Sequence, residues 1–510
     1  MGAQRIDRLV HWGILLVLLL NAAWVLTVPS FPTLDGWTHA NTARMLMEGP
    51  VDGIFCSNPG IVPNRVGHFL LGALQAVFPA LTAERVLLAL IILGLGTGAY
   101  ALSRSFGGRS ATILLILPFT VNFLLVLGFH NFLLGLALAL WLTAWWITRS
   151  RMTWIAYALL MLASFLLFYT HTTALVLFYL LIGMHEFAVL FGLHGTVAAQ
   201  ATGKRWRRPL FFTLACLPAG LLFLKFNADQ ATAWGAVDRT ANLRELFDLR
   251  SLVLLGDVES KFNYAMKLVL IGSMLLALYA RSQRPTPLRP LLSDVPLLVG
   301  VLLLVLYFVL PDSSGYASYI TVRLQLMALV LFVVWMAIQP IGRPATLAIA
   351  TMVLLLQQAR TNHYQKELAP LAEVRDHMLE AGDHLPEGSV VLPISTEGNW
   401  LLGHVSSLLA IDSKVALLDN YECGTGYFPL VWCPSLPEPL RMHLSGGDRC
   451  LGWLGPYIQQ RTTPVIDRIV LIGYVKDNTS CGALNLRGVL NEHYRVGFAN
   501  AYATVYELQR

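Results

Sequence analysis

The sequence predicts a polytopic α-helical membrane protein of about 11 spanning helices that ends in a soluble α/β domain. Three observations carry this prediction. Of the 510 residues, 56% are hydrophobic and 13% charged, against roughly 25% charged in an ordinary soluble domain. Apolar runs of about 18 or more residues recur, each long enough to cross a bilayer core of about 30 Å. From Asn362 onward charge becomes frequent and those runs stop. The formal charge of +6 is no nucleic-acid signal, because the basic residues concentrate in short loops between apolar segments.

Spans are expected near 11–28, 84–102, 110–127, 132–148, 152–168, 172–192, 209–226, 264–280, 295–310, 320–338 and 344–358. Arg5 and Arg8 precede the first, which puts the amino terminus in the cytoplasm. Arg104, Arg109, Arg149, Arg151, Lys204, Arg205, Arg207, Arg208, Arg281, Arg284, Arg289 and Arg343 then share that side. Asp35, Glu48, Asp52, Asp229, Asp238, Glu245, Asp248, Asp257, Glu259 and Asp312 share the other, with fewer bases. An odd number of spans leaves the carboxyl terminus outside. The stretch 110–148 is nearly continuous, broken mainly by Pro118, Asn122 and the His130-Asn131 pair. A cleaved signal peptide is the rival reading of residues 1–30. The apolar run is long for a signal and no Ala-x-Ala site follows, so a retained helix is favoured.

This gives a transmembrane domain, 1–359, whose first external loop 29–82 carries interfacial helices, and an extracytoplasmic α/β domain, 360–510. In the loop, Phe69–Phe78 is apolar but too short to span, as expected of a helix lying in the interface. A second external stretch, 227–262, is polar and mixed in charge. In the last domain, 363–382 has apolar residues near helical spacing, and Leu401–Leu409 and Leu484–Asn491 could also be helices. Ser389–Ile394, Arg468–Ile472 and Ala501–Leu508 are rich in Val, Ile and Tyr and read as strands. Cys423, Cys433, Cys450 and Cys481 fall in this domain, where an oxidising compartment permits disulfides in any of three pairings. Cys56 is a fifth external thiol, and Cys216 lies in a span.

Several motifs carry little. Gly94-Leu95-Gly96-Thr97-Gly98 sits inside a span with no strand before it, where small residues serve helix packing. His185-Glu186 lacks the second histidine of a metalloprotease helix, position 189 being Val. There is no P-loop, and no cysteine pair has zinc-ligand spacing with histidines. The Asn478-Thr479-Ser480 sequon matters only in a glycosylating host.

The informative residues lie at the external membrane borders. Asp35 and His39 follow the first span, His68 precedes the interfacial helix, and His130 and Asn131 separate the third and fourth spans. Tyr169, Thr170 and His171 separate the fifth and sixth, while Tyr316, Tyr319 and Arg323 open the tenth. Ionisable groups near a bilayer are costly unless paired or functional, and their gathering on one face points to one external cavity. An interfacial belt of His and Tyr is the bland alternative. Asp35 could be a general base for chemistry on a lipid-borne substrate. It could equally cap the helix that starts at Trp37, and the two roles are compatible.

These residues resemble the GT-C class of polyprenyl-phosphate-sugar glycosyltransferases, in the branch of protein O-mannosyltransferases and aminoarabinose transferases. The resemblance rests on Leu34-Asp35-Gly36-Trp37-Thr38-His39-Ala40-Asn41, Phe69–Phe78, Ala83-Glu84-Arg85-Val86-Leu87 and Ala101-Leu102-Ser103-Arg104-Ser105-Phe106. Leu167-Phe168-Tyr169-Thr170-His171-Thr172 is similar to the class's external Thr-His junction, and Tyr319-Ile320-Thr321-Val322-Arg323 to its late Arg-bearing helix start. More narrowly, the Asp-Gly-x-x-His run with Gly128-Phe129-His130-Asn131-Phe132 looks like a group of bacterial membrane proteins of unassigned activity. The chain departs from the class where acids are often paired, since Gly36 follows Asp35. It also has Pro63-Asn64-Arg65-Val66-Gly67-His68 in place of a Pro-Pro-Leu-Tyr-like stretch.

The resemblance implies a bacterial inner-membrane enzyme that moves a sugar from a polyprenyl phosphate to a lipid, glycan or protein acceptor on the extracytoplasmic side. Asp35 would be the base and His39 would orient it or, in a lesser role, help it hold a divalent ion; no other cofactor is implied. Arg323, His171, Arg239 and Arg244 would face the donor phosphate, with His68, His130, Asn131, Tyr169 and Tyr319 lining the cavity. A transporter or flippase, for which Glu186 inside the sixth span is the best sign, is the main rival. A non-catalytic protein of the same fold is the third reading.

Overall fold

The apolar runs become helices wherever no Pro or capping side chain interrupts them. The computed structural model describes residues 2–149, 153–191, 206–230, 234–256, 259–284, 290–315, 317–441, 450–473 and 481–509. Arg151, Lys204, Arg205, Asp257, Arg289, Tyr316 and the sequon fall outside the described residues. Among the described ones, eight helices are long and apolar enough to cross a membrane. They are Arg5–Thr27, Ala80–Ser105, His130–Ile147, Thr172–Leu190, Arg207–Asp229, Ser260–Ser282, Leu292–Val309 and Ile320–Ile338. Trp154–Thr170 is a shorter apolar helix, and the run at 344–358 lies within Arg343–Leu368.

The run at 110–127 does not form one helix. It divides into a 3-10 segment Ala111–Ile116 and two short helices, Leu117–Thr120 and Phe123–Val126. Pro118 supplies no N–H and suits the first turn of a helix rather than its interior. Asn122 then starts a new helix, its side chain accepting from Leu125 N at 3.1 Å.

The chain resolves into two compact units: Met1–Thr27 with Leu88–Tyr364, and Val28–Leu87 with Gln365–Arg510. In the first, His130–Ile147 packs on Thr172–Leu190, Trp154–Thr170 on Arg207–Asp229, and Leu292–Val309 on Ile320–Ile338. Glu186, the acid inside the sixth span, is paired. Trp146 Nε1 donates to it at 2.7 Å and Arg208 Nε at 2.9 Å, and His185 Nδ1 lies 3.1 Å away.

The second unit holds a five-stranded sheet. Its strands are β2 (Val390–Ser395), β3 (Ala416–Leu417), β5 (Arg468–Ile472), β6 (Tyr494–Ala499) and β7 (Ala503–Leu508), in the order β3-β2-β5-β7-β6. β2 runs parallel to β3 and β5, whereas β7 is antiparallel to β5 and β6. Side chains alternate between two cores, Val390, Leu392 and Ile469 on one face and Val391, Val470 and Ile472 on the other. A smaller sheet pairs β1 (Phe55–Ser57) with β4 (Leu430–Trp432). The helix expected over 363–382 is divided between Arg343–Leu368 and Leu371–Gly382. Trp400–Leu402 and Val405–Ala410 are 3-10 turns rather than one helix, and Cys481–His493 is helical.

One expectation needs correction. The disulfides join Cys56 to Cys433 and Cys450 to Cys481, leaving Cys423 a buried thiol. A scheme that pairs all four C-terminal cysteines among themselves fails because β1 carries Cys56 alongside β4, bringing it to Cys433 just after that strand. The helix Gly36–Glu48 packs inward within the second unit. Trp37, Ala40, Ala43 and Met45 are all buried, and Trp37 joins the core formed by Met378, Val391 and Leu408.

Candidate functional site

The helix Gly36–Glu48 organises the site in the second unit. Asp35 occupies its N-cap position, and His39 N donates to the Asp35 carbonyl at 3.0 Å. The Asp35 side chain, however, makes no capping bond. It turns instead to the Tyr421 hydroxyl and to His404, whose Nε2 lies 3.5 Å from Oδ1. The His404 ring stacks on Tyr421 with centroids 4.7 Å apart. The helix is held in place by Asn41, which donates to the Ser407 carbonyl at 2.6 Å, and by a Thr38–Ser407 hydroxyl bond of 2.8 Å.

Asp35 is 8% exposed. Burial pushes its carboxyl up to about 7, with the Glu422 charge adding to this and His39 and Tyr421 opposing it. Burial pushes His404 down to about 4, helped by the charge of His39. Tyr421 is pushed well above its ordinary value, first by burial and then by the Asp35 and Glu422 charges, so it stays a hydroxyl donor. The result is a buried carboxyl that titrates near neutrality between a neutral imidazole and a phenol. That is the protonation behaviour a general base requires.

A second acid stands close by. The Thr33 hydroxyl donates to Glu84 Oε1 at 2.8 Å, and Glu84 is buried. A Cβ added to Gly36 would overlap both the Glu84 carboxylate and the Thr33 hydroxyl. Glycine beside Asp35 is therefore a packing requirement.

The charge of His39 acts on Asp35, and its ring also engages a third acid. Its Nδ1 faces Glu422 Oε1, and His68 Nε2 meets the same oxygen at 3.0 Å. Thr42 donates to Glu422 Oε2. Burial raises the Glu422 carboxyl, but the charges and hydrogen bonds of His68 and His39 outweigh it and hold the group well below the usual carboxylate range. His39, His68 and Glu422 are the group among the described residues whose donor atoms could hold a metal ion.

The first unit carries a separate cluster. Tyr319 sits at the start of Ile320–Ile338 with φ 58°, a left-handed conformation that non-glycine residues rarely adopt and that concentrates at functional sites. Thr321 donates from both N and Oγ1 to Asp312 and anchors this helix start. The Arg323 guanidinium lies over Phe129 at 4.8 Å and Phe132 at 5.8 Å. Phe132 meets the His171 ring at 5.3 Å, and Tyr319 meets Phe123 and Phe129. His171 Nδ1 accepts from Thr173 N at 3.2 Å, so its other nitrogen carries the donor proton when the ring is neutral. His130 and Asn131 are buried at the start of His130–Ile147.

The remaining candidates lie elsewhere. Arg239 and Arg244 are exposed on the helix Arg239–Phe247. Tyr169 packs against Phe168 and the apolar core around it. Arg250, which the sequence did not single out, lies 3.6 Å over Phe123 and supplies a cation beside Tyr319. Tyr421, Glu422 and His404 were likewise missed. The sequence signal for Tyr421 and Glu422 is the polar run Asp419-Asn420-Tyr421-Glu422 within the domain's apolar surroundings, and His404 has none.

No protein-family model matches the chain, and no curated protein sequence does. Among solved structures, the chain is similar to ArnT from Cupriavidus metallidurans bound to undecaprenyl phosphate. The TM-score is 0.55 and the identity 11%, over 99% of this chain and 98% of that one. The chain thus has an ArnT-like GT-C fold and is an integral membrane protein with a C-terminal sheet domain.

Proposed function

We propose that the protein is a glycosyltransferase that takes a sugar from a polyprenyl-phosphate donor on the extracytoplasmic side of a bacterial inner membrane. The observation that carries this reading is Asp35, a buried carboxyl raised to about 7 at a helix start it does not cap. The GT-C-like fold supports it, since the similar ArnT structure was determined with undecaprenyl phosphate bound.

In this mechanism Asp35 accepts the proton of an acceptor hydroxyl as that oxygen attacks the anomeric carbon. The new C–O bond forms while the bond from that carbon to the phosphate oxygen breaks, and configuration inverts. The electron pair leaves with the lipid phosphate, whose growing charge needs cationic partners. Tyr421 and His404 hold Asp35 in place. Arg323 and the His171 donor proton are assigned to the donor phosphate, with Arg250 in support. Arg239 and Arg244 are left aside because they are exposed. Glu186 gives weak support to a transport reading, because Trp146, Arg208 and His185 all engage its Oε1.

The assignment is tested with undecaprenyl phosphate itself. Arg323→Ala should weaken its binding to the purified full-length protein by roughly 10- to 100-fold, the loss of one charge-assisted hydrogen bond. Asp35→Asn should bind it as the unaltered protein does. Binding unchanged in Arg323→Ala would remove Arg323 from the donor site.

A further inference from the structure

We infer that His39 Nδ1, His68 Nε2 and the Glu422 carboxylate together bind a divalent transition-metal ion, with zinc the best match to this donor set. The three donor atoms lie within 4.8 Å of one another. Tetrahedral ligands of one zinc ion, each about 2.0–2.2 Å from the metal, lie about 3.3–3.6 Å apart, so the three side chains would draw together on binding. All three residues are buried, at 5%, 1% and 0% exposure.

The orientation of His68 suits a metal ligand. Its Nδ1 lies 2.8 Å from the Asn64 carbonyl oxygen, which can only accept, so Nδ1 carries the hydrogen. In a neutral ring the lone pair then sits on Nε2, aimed at Glu422 Oε1 at 3.0 Å. A metal ion placed between them would accept both lone pairs, whereas a ring protonated on both nitrogens would donate Nε2–H to that oxygen. A backbone carbonyl fixing the far ring nitrogen is the usual support of a metal-bound histidine. Glu422 has a comparable outer partner in the Thr42 hydroxyl. His39 turns its Nδ1 to the same carboxylate oxygen, and Phe428 packs on both imidazoles at 6.0 and 5.8 Å.

The ligands come from three separated segments: the helix Gly36–Glu48, the helix Val66–Gln75 and the turn Glu422–Thr425. The ion would therefore fasten the first loop to the C-terminal segment within the second unit. This role does not depend on Asp35 or on sugar transfer.

The test is elemental analysis of the full-length protein, purified in detergent without a histidine tag. Stoichiometric zinc is expected, lost in both His68→Asn and Glu422→Gln and retained in Asp35→Asn. Chelation should lower the Tm of the unaltered protein, and added zinc sulfate should restore it. If the variants do not fold, the unaltered protein reloaded with Co2+ serves instead. It should give the visible bands of a low-coordinate nitrogen and oxygen site. Protein free of any first-row divalent ion, with a Tm indifferent to chelator and to zinc, would overturn the inference. So would full zinc content in both ligand variants. Each readout is independent of transferase activity, so failure of the metal site and failure of the transferase reading are told apart.

Discussion

Asp35 sits where a capping residue belongs, yet its carboxyl turns away from the helix it begins. Burial and its neighbours leave it titrating at about 7, and this fixes the sign of a pH dependence. The base form exists above that value. Transfer should rise about tenfold per pH unit below 7 and level off above it, as expected of a single essential base. His404, pushed to about 4, stays neutral over that range and adds no second limb. Initial rates at fixed donor concentration check this, and a flat profile across pH 7 would exclude Asp35 as the titrating base. The same raised carboxyl makes folding less favourable as pH climbs from the ordinary carboxylate range through 7, because the folded state holds its proton longer. Asp35 was legible in the sequence because an acid just beyond a span is costly without a role. His404, Tyr421 and Glu422 were not, because only the folded chain brings them to the first loop. Gly36 read as a missing second acid. The structure makes it the space that Glu84 occupies.

At the scale of elements, local signals were read well and long-range pairing was not. Pro118, Asn122 and the His130-Asn131 pair all mark real interruptions, because each acts on its own turn of chain. The strands β2, β5 and β7 lie within a residue or two of where Val, Ile and Tyr enrichment put them. β1, β3 and β4 are only two or three residues long and carry no periodic pattern to detect. The β1–β4 pairing nevertheless decides the disulfide framework. Phe55 is 2% exposed and stacks on Trp432 at 5.2 Å. Phe55→Ala should cost about 3–5 kcal/mol, the usual loss for a buried aromatic. It should appear as a lower Tm and faster proteolysis of the first loop. A Tm equal to that of the unaltered protein would mean that this pairing adds little to the second unit.

For the whole molecule, composition and hydropathy were enough to identify a membrane protein, since both are sums over the chain. Membership of the two compact units was not legible. Residues 29–82 read as a loop of the membrane domain, yet 28–87 cluster with 365–510. The reason is physical: helix Gly36–Glu48 buries Trp37 and Met45 in the cores of the C-terminal segment, and burial partners leave no mark on local sequence. The fold sets the class of chemistry worth testing, and Asp35 sets the test. The decisive measurement is transfer from an undecaprenyl-phosphate-linked sugar by the full-length protein in liposomes, comparing the unaltered chain with Asp35→Asn. A loss of roughly 10²- to 10⁴-fold in kcat, the contribution of a general base, with lipid-phosphate binding unchanged, is the predicted result. Transfer by Asp35→Asn at the unaltered rate would contradict the account.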